Sequence, residues 1–382
     1  MPELAPLLTP ERHELAELVS ELHSLAAPWI PSGLGNHLHW GPKPQIECAV
    51  VSLQRLNQVL EHAVGDFIVT VEAGMPLNEL QTFLAKEGQW LPINPPVTGQ
   101  SSIGGIVSRG MGGTLLNKYM GIRDQIIGIE VVRTDGTVAK SGGRVVKNVA
   151  GYDLMRLFCG SWGKVGLIKS ITLRTQPLQK YRSSIAITEH LKDLLIVNQT
   201  LKAANNNSIE ELWWHSNSAN ENLLNATLSS QNRDTLYEQE QKLTTLAKNH
   251  GAEADKAKHC KYNFYTNQAN YPRKWLVRIG VLPDQSQKLV NLIDHDKWNV
   301  CVDALSGLGV AWSDSERIED FEIRNLKATC TNLGGYLFSL EVPKQTNHIG
   351  WNNSKHENLS LAVQRAFDPL QQLNHSNRQQ SS

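Results

Sequence analysis

The chain has 382 residues with 37 basic and 37 acidic side chains, so its formal net charge at pH 7 is zero. This balance excludes a strong overall field of either sign and gives no indication of nucleic-acid binding. A hydrophobic content of 40% and a mean hydropathy of −0.33 indicate a globular chain of two or three domains. No apolar run approaches the roughly 20 residues that span a bilayer. The sequence therefore predicts no transmembrane segment and leaves peripheral membrane association open.

The cysteines and the N-terminus bear on cellular location. The five cysteines are scattered and form no C-x-x-C pair, which indicates reduced, buried thiols. The same spacing excludes an iron–sulfur cluster held by this chain in any usual motif. No basic segment followed by an apolar run stands at the N-terminus, so we expect a cytoplasmic protein that is not secreted.

The first 90 residues alternate between helical and extended patterns. Apolar residues at helical spacing predict a helix over 9–25, opened by Thr9 and Pro10. A strand is predicted over 46–51, followed by a helix over 52–60 capped by Ser52. A second strand over 67–71 precedes a helix from Pro76 that stops at Gly88.

Antiparallel sheet is predicted after residue 125. Strands over 126–133 and 137–141 flank Thr134-Asp135-Gly136, a typical hairpin turn. Another strand covers 165–175. Residues 1–180 therefore form an α+β domain.

A second α+β domain is predicted over residues 181–345. Its strands are expected at 212–215, 275–282, 308–312 and 336–342, and its helices at 191–202, 235–248 and 316–331. This alternation is compatible with a ferredoxin-like sandwich. Residues 346–382 form a C-terminal segment whose polar end we expect to be disordered. No internal repeat is visible.

Glycine is concentrated in one stretch, from Pro95 to Gly113, where six of 19 residues are glycine. Glycine permits close backbone approach and positive φ, and successive N–H groups then form a site for anions. A pair of ordinary turns is the other interpretation. The region from Gly99 to Gly166 holds 15 of the 28 glycines, which favours a dependence on backbone geometry.

Four motifs in this region occur in a family-like order. They are S-S-I-G-G from Ser101, Y-M-G-I-R-D from Tyr119, G-G-R-V-V-K-N-V-A-G-Y-D-L from Gly142 and G-S-W-G-K-V-G-L-I from Gly160. Together they resemble the vanillyl-alcohol-oxidase (PCMH-type) FAD-binding family, and within it the FAD-binding subunits of glycolate oxidases (glycolate dehydrogenases). The resemblance implies a PCMH-type FAD-binding fold with two subdomains, followed by a smaller α+β cap domain.

The resemblance also implies a set of FAD-binding residues. In the first pyrophosphate loop these are Ser32, Gly33, Leu34, Gly35, Asn36 and His37; in the second stretch Thr98, Gly99, Ser101, Ser102, Ile103, Gly104 and Gly105; and beyond them Tyr119, Gly121, Arg123, Asp124, Gly166 and Ile168. A Rossmann site is the alternative for the first loop, but that motif's third glycine and its later acidic residue are missing.

Several of these residues allow two interpretations. Ser101 is either a cofactor ligand or a helix N-cap, and Arg123 with Asp124 lies either against the cofactor or in a buried structural pair. A Cβ on Gly104 is expected to meet the ligand. Some relatives attach flavin covalently through a histidine where this chain has Asn36, so the resemblance favours noncovalent FAD.

The implied activity is oxidation of glycolate, a 2-hydroxy acid, to glyoxylate, with electrons passing through the flavin to a sister flavoprotein subunit and an iron–sulfur subunit. Relatives that oxidise D-2-hydroxy acids carry histidine-rich strings in the second domain, and this sequence lacks them. We therefore assign no catalytic residue and no metal, and name only His215 and Arg278 as weak substrate candidates. The alternatives are a self-sufficient FAD-dependent oxidoreductase for another alcohol or hydroxy acid, and a flavin-poor assembly subunit.

Overall fold

The computed structural model describes residues 6–42, 47–95, 101–143, 153–188, 209–216, 222–256, 275–313, 318–343, 346–351 and 357–373. The chain divides into two units. The first unit comprises Met1–Gly112, Met120–Leu178 and Asn352–Ser382, and the second comprises Gly113–Tyr119 and Gln179–Trp351. No helix in the described part of the chain is both long enough and apolar enough to cross a membrane.

The first unit begins with a small parallel sheet. Its strands are β1 (Leu7–Leu8), β2 (Trp29–Ser32) and β3 (Ala49–Ser52), in the order β1-β3-β2. Helix α1 (Leu15–Ser24) connects β1 to β2 and buries Leu15, Val19 and Leu22. The helix begins later than Thr9, contrary to the prediction, because Glu11 N–H bonds the Glu14 carboxylate at 2.8 Å and forms a separate turn.

An antiparallel five-stranded sheet forms the rest of this unit's β-structure. It contains β4 (Val59–Ala63), β5 (Ile68–Glu72), β7 (Ile126–Val132), β8 (Val138–Gly142) and β9 (Leu167–Arg174), in the order β4-β5-β9-β7-β8, while β6 (Gln89–Trp90) pairs with β10 (Gln176–Pro177). The helix predicted over 52–60 is wrong. Val59 instead pairs with Val71 across β4 and β5, so long-range strand pairing overrides the short helical pattern.

Short helices pack on these sheets. In chain order they are α2 (Leu77–Ala85), α3 (Ile103–Arg109) and α5 (Ile122–Gln125); the short helix α4 (Leu116–Tyr119) belongs to the second unit.

The C-terminal segment is part of the first unit from Asn352 onwards. Its helix (Glu357–Phe367) contacts Phe158 through the Phe367 ring, at 6.1 Å between centroids. Gln372 donates from its side chain to the carbonyls of Leu22 and Ala27, at 2.9 and 3.0 Å. These contacts join the last described residues to the region around α1.

The second unit is built on one antiparallel sheet of eight strands. They are β11 (Tyr181–Thr188), β12 (Ile209–Ser216), β13 (Asn222–Ser230), β14 (Glu253–Lys256), β15 (Trp275–Gly280), β16 (Asn299–Asp303), β17 (Leu308–Ser313) and β18 (Tyr336–Glu341), in the order β14-β11-β13-β12-β16-β17-β15-β18. Besides α4, its described α-helices are α6 (Arg233–Asn249), α7 (Ser286–Leu292) and α8 (Asp320–Asn332); the C-terminal helix of the first unit is α9. The helix predicted over 191–202 lies outside the described residues.

This sheet contains the same strand order twice. When each set of four strands is numbered in sequence and read from its own outer edge of the sheet, both β11–β14 and β15–β18 have the order 4-1-3-2, which is the order of a ferredoxin-like sandwich. The two sets join where β12 pairs with β16. The sequence suggested one such sandwich and no repeat, whereas the structure contains a doubled arrangement. Pairing between distant strands creates this duplication, so local sequence patterns do not reveal it.

Candidate functional site

A cleft in the first unit gathers most of the predicted site residues. It encloses about 940 Å³, including space open to solvent, and three segments line it. They are the loop after β2, the start and end of α3, and the turn that leads into β9. The predicted residues that line it are Ser32, Gly33, Leu34, Gly35, Asn36, His37, Ser101, Ser102, Gly104, Gly105, Gly166 and Ile168.

The loop after β2 is fixed at its start by the small parallel sheet. Leu53 N–H donates to the Ser32 carbonyl at 2.8 Å, and the Ser52 hydroxyl donates to the Gly33 carbonyl at 3.1 Å. Gly35 then takes a positive φ of 80°, which few other residues adopt without strain. Among the described residues, nothing accepts a hydrogen bond from the N–H groups of Gly33, Leu34 and Gly35. Consecutive unused N–H groups of this kind can bind an anion.

The loop and the start of α3 approach each other closely at Gly33. A Cβ on Gly33 would overlap the Ser102 hydroxyl oxygen and stand 2.8 Å from the Ser102 Cβ. Ser102 is held in place because its hydroxyl accepts a hydrogen bond from Gly105 N–H at 3.2 Å as the N-cap of α3. Ser102, rather than Ser101, is therefore the cap of this helix.

The N–H groups at the start of α3 are already used by the protein. Ile103 N–H donates to the Met75 carbonyl at 2.9 Å, and Gly104 N–H donates to the Ala73 carbonyl at 2.8 Å. A Cβ on Gly104 would stand 2.7 Å from the Ala73 Cβ, so this glycine allows α3 to pack on the end of β5. We expected this Cβ to meet a ligand, but in the structure it would meet Ala73, so the glycine is explained by packing.

Of the remaining predicted residues, those that the structure describes do not line the cleft. Ile103 is fully buried in the core, and Thr98 and Gly99 lie outside the described residues. Gly121 precedes α5 as its N-cap, and Arg123 and Asp124 are exposed, so the interpretation of these two as a buried pair is wrong. Asp124 instead forms an exposed ion pair with Arg156 at 3.4 Å.

Tyr119 lies in the second unit, in a buried polar cluster. Its hydroxyl donates to the Glu210 carboxylate at 2.5 Å, and Arg182 Nε donates to the same carboxylate at 2.8 Å. Burial raises the pKa of Glu210, but Arg182 and the Tyr119 hydrogen bond outweigh it and leave that pKa below its usual 4.5. Burial and the bond to Glu210 raise the Tyr119 pKa. In this environment Tyr119 stabilises a buried carboxylate.

The two weak substrate candidates lie in one row across the second unit's sheet. His215 pairs with Cys301, Cys301 with Val310, and Val310 with Arg278. Three strand spacings separate them, which is about 14 Å and too far for both to hold one small acid. Arg278 lies beside the rings of Tyr336 and Phe338, at 5.9 and 5.6 Å. Within the described residues, no three His, Cys, Asp or Glu side chains gather as a metal site.

Arg109, which the sequence analysis did not select, also lines the cleft. Its Nη2 donates to the His37 carbonyl at 2.9 Å, and its guanidinium lies 5.7 Å from the ring centroids of both Trp40 and Trp162. Burial lowers its pKa to about 10, so it stays charged at neutral pH. A lone basic residue inside the glycine-rich stretch was the only sequence signal for this role.

Comparison with known proteins connects this region to a family. Residues 7–142 match the family model described as an FAD binding domain. The chain is 32% identical over 182 residues to the glycolate oxidase subunit GlcD of Bacillus subtilis, 33% identical over 171 residues to a mitochondrial D-lactate dehydrogenase [cytochrome] of Arabidopsis thaliana, and 30% identical over 171 residues to that plant's mitochondrial D-2-hydroxyglutarate dehydrogenase. These alignments cover 48%, 44% and 45% of this chain, but only 38%, 29% and 31% of the relatives.

Solved structures show the same architecture over a longer span. Two structures of alkyldihydroxyacetonephosphate synthase superpose with TM-scores of 0.71 and 0.69 over 96% of this chain and 75% and 76% of theirs. At 14% and 13% identity, this likeness concerns the fold alone. It supports the α+β, PCMH-type fold class expected from the sequence. Residues 7–142 thus match the FAD-binding domain model, and the cleft lies largely within them.

Proposed function

We propose that the cleft binds FAD, with the loop from Ser32 to His37 holding the diphosphate. The observation that carries this proposal is the run of unused N–H groups at Gly33, Leu34 and Gly35 within the matched FAD-binding domain. These donors fit phosphate oxygens, and the missing Cβ at Gly33 lets the loop lie against α3 without filling the cleft. Bound FAD would supply the capacity to accept a hydride equivalent from an alcohol carbon.

The binding is proposed to be noncovalent. Asn36, which lines the cleft, cannot form the histidyl link that attaches flavin in some relatives. Acid or heat should therefore release a yellow cofactor that chromatographs as FAD. A colourless protein, or flavin that remains on the polypeptide, would refute this part of the proposal.

We further propose that the chain is an FAD-dependent oxidoreductase subunit acting in the oxidation of glycolate, with a sister flavoprotein subunit and an iron–sulfur subunit as partners. Similarity to the GlcD subunit supports it, and GlcD belongs to a glycolate oxidase by its name. The aligned part spans only 38% of that relative's length. The FAD-binding family model covers residues 7–142 only, so the substrate and the partners are proposed on the similarity to GlcD alone.

A self-sufficient dehydrogenase for another 2-hydroxy acid is the second candidate. The observation that favours it is the similar identity, 33% and 30%, to a D-lactate dehydrogenase and a D-2-hydroxyglutarate dehydrogenase. Anaerobic bleaching of the flavin absorbance separates the two candidates. Bleaching of the isolated chain by D-lactate or D-2-hydroxyglutarate supports the second, whereas glycolate-dependent turnover that requires added partners supports the first.

A further inference from the structure

Arg109 is a partly buried cation without a carboxylate partner among the described residues. Its recorded contacts are the His37 carbonyl and the faces of Trp40 and Trp162, all of which are formally neutral or aromatic groups. No Asp or Glu in the described part of the chain forms an ion pair with it, and burial lowers its pKa. Because an uncompensated buried charge is costly, such a group indicates a missing anion.

The position of Arg109 shows where that anion would lie. Arg109 is the last residue of α3 and lines the same cleft as the loop from Ser32 to His37. Among the described residues that line the cleft, no other is an Asp, Glu, Lys or Arg. Its Nη1 stands 3.4 Å from where a Cβ on Gly105 would be, so the absence of that Cβ leaves space beside the guanidinium.

The two tryptophans restrict the guanidinium. Trp162 has a positive φ of 54°, a conformation that a bulky residue adopts only when its surroundings hold it there. The backbone N–H of Trp162 donates to the carbonyl of Ser108 at 2.8 Å, and Ser108 is the residue before Arg109 in α3. Together with the hydrogen bond to His37, this arrangement orients Arg109 before any ligand binds.

We propose that Arg109 binds the diphosphate of FAD and makes the cleft selective for phosphorylated flavin over riboflavin. The inference rests on the proposed function and assigns this one side chain to it. The N–H groups of the loop are neutral donors, whereas a guanidinium offers charge and paired N–H groups that match phosphate geometry. The aromatic faces leave the N–H edge of the guanidinium available.

The test compares ligands as well as variants. Protein stripped of flavin is titrated with FAD and with riboflavin, and the dissociation constants are read from flavin fluorescence. Arg109→Gln should weaken FAD binding by about tenfold to a hundredfold, since it removes charged hydrogen bonds, and should leave riboflavin binding unchanged. The FAD affinity of Arg109→Lys should lie between those of the wild type and Arg109→Gln. Arg174→Gln, which removes the same charge from an exposed position on β9, should leave both affinities unchanged.

Several results would overturn the proposal. In the first, the Arg109→Gln variant binds FAD as tightly as the wild type does. In the second, the variant loses affinity for FAD and for riboflavin to the same extent. If the Arg109 variants do not fold, competition on the wild type decides, because ADP must displace FAD more strongly than adenosine does. A wild-type protein that binds neither flavin refutes the proposed function itself, which is a different result.

Discussion

Gly33 is a position where no side chain fits. Since a Cβ there would overlap the Ser102 hydroxyl, Gly33→Ala should displace either the loop or the N-cap of α3. We expect FAD affinity to fall at least about tenfold, because both elements line the cleft. Gly65→Ala is the matched control, since nothing lies within 4 Å of a Cβ there. Equal FAD affinity in both variants, measured by fluorescence titration, would show that this close approach is not needed for binding.

Tyr119 gives a test of a residue predicted from the family resemblance. Its hydroxyl donates to the buried Glu210 carboxylate, so Tyr119→Phe should lower the free energy of unfolding by about 1–3 kcal/mol. FAD affinity should stay unchanged, because the structure gives this hydroxyl a structural partner. Denaturant unfolding and flavin titration of the same variant separate the two roles. A large loss of FAD affinity at unchanged stability would restore the predicted role as a cofactor contact.

The chemistry of the cleft was predictable where it depends on neighbours in sequence. The loop from Ser32 to His37 carries its own signal, because closely spaced glycines indicate a backbone site. Arg109 was missed because its role depends on Trp40 and Trp162, which are distant in the chain and meet it only in the fold.

Among the secondary-structure elements, β16 ends in a buried carboxylate, Asp303, which should make the stability of the fold depend on pH. Asp303 is 1% exposed and accepts hydrogen bonds from Leu212 and Ser306 N–H groups at 3.3 and 2.8 Å. Burial outweighs these bonds and raises its pKa from 3.8 to about 6. The native state therefore holds a proton that the unfolded chain releases at lower pH. This contribution to stability is complete below about pH 4 and is lost as the pH rises through about 6.

The corresponding experiment compares the wild type with Asp303→Asn. The wild-type free energy of unfolding should lose up to about 3 kcal/mol from this group between pH 4 and pH 6, and the difference between the two proteins should follow that change. Urea unfolding across this pH range measures it. A difference that does not vary with pH would mean that the pKa of Asp303 is not raised in the native state.

Elements with strong local signals were predictable from sequence. The hairpin around Asp135 and Gly136 forms as expected, since its turn residues specify it, and α2 begins directly after Pro76. Strands β13 and β16 were missed because their sequences carry no clear alternation and each pairs with a strand that is distant in the chain, β13 with β11 and β16 with β12. The prediction of a helix at 52–60 was wrong because the helical pattern is short and strand pairing with β5 overrides it.

At the scale of the whole molecule, the duplicated strand order of the second unit was the largest feature hidden in the sequence. Each set of four strands is completed by pairs that lie far apart along the chain, for example β11 with β14. Hydrophobic periodicity identifies separate strands and gives no information about which strands become neighbours. The family resemblance, in contrast, depends on motifs in the first unit, which is why the FAD-binding fold was recognisable and the doubling was not.

The division between the two units leads to a prediction about activity. Oxidation of a 2-hydroxy acid needs a cation or hydrogen-bond donors for the carboxylate, a base for the hydroxyl proton and an oriented α-hydrogen. In the second unit, the candidates His215 and Arg278 lie about 14 Å apart along one row of the sheet and cannot serve a molecule as small as glycolate together. In the first unit, Arg109 is proposed to bind the FAD diphosphate and would not be available for the substrate carboxylate.

We therefore expect the isolated, FAD-loaded chain to be a poor glycolate dehydrogenase. Anaerobic mixing with glycolate should leave its flavin absorbance unchanged over minutes, and reduction should appear only when the sister flavoprotein and iron–sulfur subunits are added. His215→Ala and Arg278→Gln should leave the activity of the assembled enzyme within about threefold of the wild type, because neither is placed to hold the substrate alone. Flavin that bleaches within seconds in the isolated chain would contradict this prediction and favour a self-sufficient enzyme, and a large loss of that bleaching in either variant would identify the substrate site on the second unit's sheet.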